Sequence, residues 1–234
     1  MRIVTWNARH GGGTRAQAFA ETLISLGPDV AIITEFRNGS TGEKIKKVLE
    51  QNGLVHFCHA STPARLNSVL LSSRIECSER ELASLGDEGH RCAWAQIGEL
   101  NVLGFYFPQN RAKEAVFDAI CRIDARILSE QSLLIGDFNT GRHFLDENAR
   151  TFYCAEYFDK LEDLGWTDTW RSRNPTTKEF SWFSAAGNGF RIDHAFASPG
   201  LDARILGVRY DHSVRESGLS DHSALIVDLA NSNS

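Results

Sequence analysis

Ser132-Leu133-Leu134-Ile135-Gly136-Asp137-Phe138-Asn139-Thr140 decides how the rest of the chain is read, because an apolar run closed by glycine delivers a carboxylate and an amide together. A short apolar run bounded by Gly has the length and composition of a buried strand, so Asp137 and Asn139 are expected at its rim. Taken alone, the stretch fits an Asp/Asn turn that satisfies its own backbone equally well. Three other fragments shift the balance. Thr5-Trp6-Asn7 ends the opening strand, Thr34-Glu35-Phe36 follows Asp29-Val30-Ala31-Ile32-Ile33, and Ser220-Asp221-His222-Ser223 precedes Ala224-Leu225-Ile226-Val227. Each sets an Asn, Asp, Glu or His beside an apolar strand, and four such placements in one chain are hard to attribute to turn chemistry.

These residue types suit one task. Hard oxygen donors with a neutral amide hold Mg²⁺ or Mn²⁺ while leaving coordination positions for water and a phosphate. Phosphodiester cleavage then needs a positioned water and stabilisation of the charge that develops on phosphorus oxygens. Asp137, Asn139 and His222 are of the right kind to supply both.

With Trp6-Asn7, Glu35, Gly104-Phe105-Tyr106-Phe107-Pro108-Gln109, Gly136-Asp137-Phe138-Asn139, Phe180-Ser181-Trp182-Phe183, Arg191-Ile192-Asp193-His194 and Ser220-Asp221-His222 in that order, the chain resembles the endonuclease/exonuclease/phosphatase superfamily. Within it the likeness is to the exonuclease III type of DNA-repair nuclease, and it runs from about residue 1 to about residue 229. The resemblance implies an α/β (α+β) fold, a four-layer α/β/β/α sandwich with two packed mixed β-sheets and a site at one edge. It also implies roles. Glu35 is the principal metal carboxylate, and Asn7 and Asp221 complete the environment of Mg²⁺, for which Mn²⁺ substitutes. Asp137 orients and deprotonates the attacking water, and Asn139 holds that water or the phosphate. His222 contacts the phosphate, Asp193 fixes its tautomer and keeps it cationic, and Tyr106 donates from its phenol.

Trp182 and Phe183 match the segment that lines a sugar or base pocket in the exonuclease III type, although aromatic residues in a strand are more often core. The following Ser184-Ala185-Ala186-Gly187-Asn188-Gly189 lacks the aromatic and basic residues usual there in the family's repair enzymes, so open strands rather than strictly abasic sites are the expected substrates. Arg91 and Arg111 are the expected phosphate contacts, chosen from a basic rim that also includes Arg9, Lys113, Arg142, Arg171, Arg173, Lys178 and Arg191. DNA is the implied partner, with RNA left open. A metal-dependent phosphatase or phosphodiesterase acting on a lipid or small phosphoester is the alternative on the same scaffold.

Bulk features agree. A chain of 234 residues with 42% hydrophobic content suffices for one large domain, expected over 1–229 with a frayed tail at 230–234. The 25 Lys and Arg against 30 Asp and Glu leave a net charge of −5, an unusual balance for a nucleic-acid partner that metal carboxylates partly explain. Five scattered cysteines without a C-x-x-C pair indicate neither a disulfide framework nor a zinc site and fit a reducing cytoplasm. With no signal-like or membrane-length apolar run, a cytoplasmic monomer off the membrane is expected.

Strands are expected near 2–6, 30–34, 54–58, 67–72, 92–97, 100–105, 132–136, 180–183, 191–197, 203–210 and 223–229, and helices near 15–26, 42–52, 111–129 and 155–164. Gly11-Gly12-Gly13 lacks the Lys-Ser/Thr of a phosphate loop and reads as a connector.

Overall fold

A computed structural model describes residues 1–123 and 125–230. The tail expected at 230–234 therefore lies, from Asn231 on, outside the described residues. Among the described residues, fourteen strands form two six-stranded sheets and one small hairpin. The first sheet draws on β1 (Arg2–Asn7), β2 (Val30–Phe36), β3 (His56–Cys58) and β4 (Ser68–Ser73). The second draws on β5 (Ser78–Arg80), β6 (Cys92–Ile97), β7 (Leu100–Tyr106), β8 (Gln131–Asp137) and β9 (Thr167–Asp168). After the hairpin β10 (Trp182–Phe183) and β11 (Gly189–Phe190), β12 (Asp193–Ala197) joins the second sheet, and β13 (Ile205–Asp211) and β14 (Ala224–Leu229) return to the first. The orders are β13-β14-β1-β2-β4-β3 and β5-β6-β7-β8-β12-β9, each with a parallel pair at its centre (β1 with β2, β7 with β8) and antiparallel neighbours.

Side-chain alternation builds four layers from these strands. Ile3, Ile32, Val69 and Leu71 of the first sheet meet Ala95, Val102, Leu133, Ile135 and Ala195 of the second in an inter-sheet core. The opposite faces carry Val4, Trp6 and Ile33 against α1 (Ala16–Ser25) and α2 (Ser40–Gln51), with Trp6 stacked on Phe19 at 4.2 Å. Phe105, Phe107, Phe138 and Phe196 pack against α3 (Glu114–Cys121) and, beyond α4 (Ala125–Ser129), against α5 (Tyr157–Asp163). The expected single helix over 111–129 is thus two helices behind a short 3₁₀ turn at Asn110–Lys113. Ile123, Ile127 and Leu128 still reach the same apolar cluster. The strand expected over 180–183 is confined to Trp182–Phe183.

The alternation also places the polar rim. Ile3 and Asn7, Leu133 and Asp137, Val102 and Tyr106, and Ala195 and Asp193 fall on equal parity, so four polar side chains continue the inter-sheet faces past the end of the core. Register aligns them, since Asp137 pairs with Asp193 on one side and Tyr106 on the other. Two glycines permit the approach. A Cβ at Gly104 would sit 2.7 Å from Ile32 of the facing sheet, and one at Gly136, where φ is +146°, would sit 2.0 Å from the Phe105 carbonyl oxygen. Glycine immediately before Asp137 is therefore a steric requirement of the strand end.

Glu35 breaks the parity rule. Ala31, Ile33 and Phe36 face the helices, the pairing with β4 shifts between Ile33 and Phe36, and Glu35 has φ +52°. This bulge turns Glu35 out of the helix-facing row and into the rim.

Arg191, expected among the surface cations, is fully buried. Its guanidinium joins Asp146 at 2.7 Å and Asp168 at 2.6 Å, and Arg171 adds a second contact to Asp146 at 2.6 Å. Burial is the largest influence and would raise both carboxyls, but the Arg191 charge, the hydrogen bonds from Arg191 and the neighbouring His194 together outweigh it and hold each below the ordinary carboxylate range. Arg142 pairs with Asp159 and Glu162, Arg173 with Asp202, and Lys178 binds the carbonyls of Phe144 and Glu147. These five cations brace the fold, which reduces the expected basic rim to Arg9, Arg91, Arg111 and Lys113.

Candidate active site

The rim converges on a pocket of about 420 Å³ lined by Glu35, Tyr106, Gln109, Lys113, Asn139, Trp182, Asp221 and His222, among others. Its centre is a carboxylate cluster. Asn7 donates its amide to Asp137 Oδ2 at 3.0 Å and to Glu35 Oε1 at 3.2 Å, while its Oδ1 accepts the Arg9 backbone N–H at 2.7 Å. Glu35 Oε2 accepts the His10 N–H at 2.7 Å, and the His10 ring lies 2.8 Å from the same oxygen.

On the other side of Asp137 stands an imidazole–carboxylate pair. His222 Nδ1 lies 2.9 Å from Asp193 Oδ2, and His222 Nε2 points toward Asp137 Oδ2 at 4.0 Å. The backbone fixes this pair. Trp6 donates its indole N–H to the His222 carbonyl, Ser220 Oγ bridges the His222 N–H and the Asn7 carbonyl, and Tyr210 donates to the Asp193 carbonyl. Burial would lower the His222 pKa, but Asp193 and Asp137 more than offset it and push it up to about 10. Burial is also the largest influence on Asp137, which rises to about 7 even though the His222 charge acts against the shift. The proton thus resides on His222 near neutrality.

Asp137, Asp193 and His222 offer three ligand atoms within 4.8 Å of one another. An imidazolium has no lone pair to give, so this trio is better suited to proton and charge management than to holding a cation. Glu35 and Asp221 line the same pocket with carboxylate oxygens of the kind that suits Mg²⁺ or Mn²⁺, whereas Asn7 turns its N–H to Glu35 and Asp137, and its Oδ1, already accepting the Arg9 N–H, keeps one lone pair. The Asn7 amide N–H, an electropositive group, bridges carboxylate oxygens of Glu35 and Asp137, so the place between those two carboxylates suits positive charge.

Asn139 donates its own backbone N–H to Asp137 Oδ1 at 2.9 Å. Its amide is spent on the Phe107 carbonyl at 2.7 Å and on Gln109 at 2.5 Å. The Tyr106 hydroxyl accepts from Asn67 at 3.5 Å and is held neutral, its pKa pushed up to about 12 by burial and by Glu35. Trp182 lines the pocket and donates its indole N–H to Asp221 at 3.2 Å, whereas Phe183 turns outward beneath Arg215. Arg91 is held by Glu88 with its guanidinium over the Tyr106 ring at 5.8 Å, and Arg111 pairs with Glu114 and lies over Tyr153. Every sequence-selected residue except Phe183, Arg91 and Arg111 therefore contributes to one cluster or its wall.

Sequence reasoning missed Phe152 and Phe190, which join Trp182 and Ile192 in an apolar wall, and it did not anticipate that Lys113 reaches the pocket from a buried position. Lys113, Val116, Phe117 and Ile120 share the spacing of one helix face, which signals that the lysine is buried.

The sequence profile of the Endonuclease/Exonuclease/phosphatase family matches residues 4–222. The chain belongs to that family. It is also 32% identical over 165 residues to exodeoxyribonuclease III of Haemophilus influenzae, a match spanning 56% of the chain and 61% of that relative's length. Among solved structures, a 3′ phosphatase from Neisseria bound to a product DNA hairpin superposes with a TM-score of 0.84 at 23% identity, over 99% of this chain and all of that one. An AP endonuclease from Archaeoglobus fulgidus (0.83, 20% identity) and a 3′-5′ exonuclease from Neisseria meningitidis (0.83, 24%) have the same coverage. The four-layer architecture is that of these relatives. Among the described residues, no helix of this family member is long and apolar enough to cross a membrane.

Proposed function

We propose that this family member is a divalent-metal-dependent nuclease of the exonuclease III type, working as one domain over residues 1–229 and hydrolysing phosphodiester bonds in DNA. The observation that carries the reading is the position of Asp137, between an amide–carboxylate group suited to a cation and a charged His222–Asp193 pair. When bound, Mg²⁺ or Mn²⁺ held by Glu35, Asn7 and Asp221 would polarise the phosphate. Asp137, buried and raised toward neutrality, accepts a proton from the attacking water as its oxygen bonds to phosphorus, while the bond from phosphorus to the departing sugar oxygen breaks and that oxygen takes a proton from solvent water. The His222 imidazolium, oriented by Asp193, neutralises charge developing on the phosphoryl oxygens, and the neutral Tyr106 phenol donates to the same group. Asn139 keeps Asp137 aimed through its backbone N–H.

Glu35→Gln tests the metal assignment. The amide keeps the shape but removes the charge that holds a hard cation, so activity in Mg²⁺ is expected to fall roughly ten- to a hundredfold with an unchanged melting curve. Near-wild-type turnover, or full activity in excess chelator, would sink the assignment.

The apolar wall of Trp182, Phe152, Phe190 and Ile192 favours a nucleic acid over a lipid or small phosphoester, because it offers a face for an exposed base or sugar. Trp182→Ala is expected to slow cleavage at unpaired or abasic sites roughly ten- to a hundredfold and cleavage of intact duplex much less. Equal losses on every substrate, with a lower melting temperature, would make Trp182 a packing residue only.

A further inference from the structure

Lys113 is 2% exposed, yet it lines the catalytic pocket. Its ammonium donates to the Asn139 carbonyl, and among the described residues it has no ion-pair partner. An ammonium has three donors, so one carbonyl leaves it under-satisfied. Its other electrostatic neighbours do not neutralise it. Burial raises the Cys154 pKa and keeps that thiol uncharged, and Asp137 is engaged by Asn7 and Asn139 and faces His222. Burial accordingly lowers the Lys113 pKa to about 8, against the opposing influence of Cys154 and Asp137.

Taking a cation out of water costs more than one neutral hydrogen bond returns, and a buried charge without a counter-ion is a standing cost to the fold. Such a group at a pocket wall is compensated when an anion enters. Gln109 and Asn110 line the pocket beside it, one turn earlier, and add neutral polar groups without adding negative charge.

We propose that Lys113 is a substrate-binding residue that forms a phosphate subsite in this pocket, donating to a non-bridging oxygen of a substrate phosphate that serves as its counter-ion. The inference rests on the nuclease reading above for the identity of the substrate, but not for the existence of the subsite. The phosphate belongs either to a terminal phosphomonoester or to a diester linkage in the strand.

Calorimetric titration of wild type, Lys113→Met and Lys113→Arg with inorganic phosphate and with dimethyl phosphate, in Mg²⁺ and in chelator, tests this. Lys113→Met is expected to raise the Kd for phosphate roughly ten- to a hundredfold, the size of a lost charged hydrogen bond, while Lys113→Arg stays close to wild type. A loss confined to inorganic phosphate supports a subsite for a terminal phosphomonoester, and a loss for both probes supports one that takes a diester. Unliganded Lys113→Met should melt at or above the wild-type temperature, because an apolar side chain of similar length relieves the buried charge. Should Lys113→Met instead melt lower with both Kd values unchanged, or should wild type bind neither probe, Lys113 would be only a tether for the Asn139 loop. DNA cleavage by the wild type in Mg²⁺ separates the two proposals: phosphate affinity that depends on Lys113 in a wild type that cleaves no DNA would overturn the nuclease reading and leave the subsite standing.

Discussion

Asp137→Asn is expected to lower kcat by a factor of about a hundred to ten thousand, the usual contribution of a positioned general base. The substitution retains the side-chain volume and the oxygen that accepts the Asn139 N–H, so the strand end keeps its shape. What disappears is the basic oxygen facing His222 and Asn7. His222→Ala should give a loss of at least about a hundredfold by a different route, removing the charge that stabilises the phosphoryl oxygens. The double variant should fall little below the worse single one, because groups acting as a unit are strongly non-additive. Single-turnover kinetics at saturating DNA checks this. Weakened binding with unchanged turnover in either variant would remove that residue from the chemistry.

Arg191→Leu is expected to destabilise the fold by roughly 3–5 kcal/mol, the cost of stripping the partner from buried carboxylates. Asp146 and Asp168 are both buried, and their alignment ties the loop after β8 and the short strand β9 to the chain just before Asp193. Because Arg191 holds both carboxyls below their unfolded values, its contribution is complete above about pH 4 and is lost as pH falls through the folded pKa values. The stability gap between wild type and variant should therefore narrow on acidification. Urea unfolding at several pH values measures it, and a gap that is small, or constant down to low pH, would contradict the account.

Where a residue's position follows from local pattern, the sequence made it legible. Asn7, Tyr106, Asp137 and Asp193 sit on strands whose alternating apolar residues state which face is buried, and continuing the count past the last apolar residue gives the rim. Glu35 obeys a different rule: its place after the apolar run 29–33 marks it, but strand alternation would turn it toward the helices, and only the bulge at φ +52° brings it into the cluster. Arg191 was illegible because its partners lie 45 and 23 residues away, and nothing local separates a buried arginine from a surface one. Lys113 is intermediate. Its place on an apolar helix face was readable, but a count of basic residues assigns every lysine to the surface. The small strands β9 to β11 carry too few residues for any period to show.

The most direct test of a metal-dependent phosphodiesterase built around Asp137 is product analysis with end-labelled single-stranded, nicked, abasic and intact duplex DNA, in Mg²⁺, in Mn²⁺ and in excess chelator. Shortened fragments are expected with either metal, with faster cleavage of open or abasic substrates than of intact duplex, none in chelator and only slow cleavage by Asp137→Asn. Undiminished cleavage in chelator, or no cleavage of any DNA by a protein that turns over a small phosphoester in Mg²⁺, would contradict it.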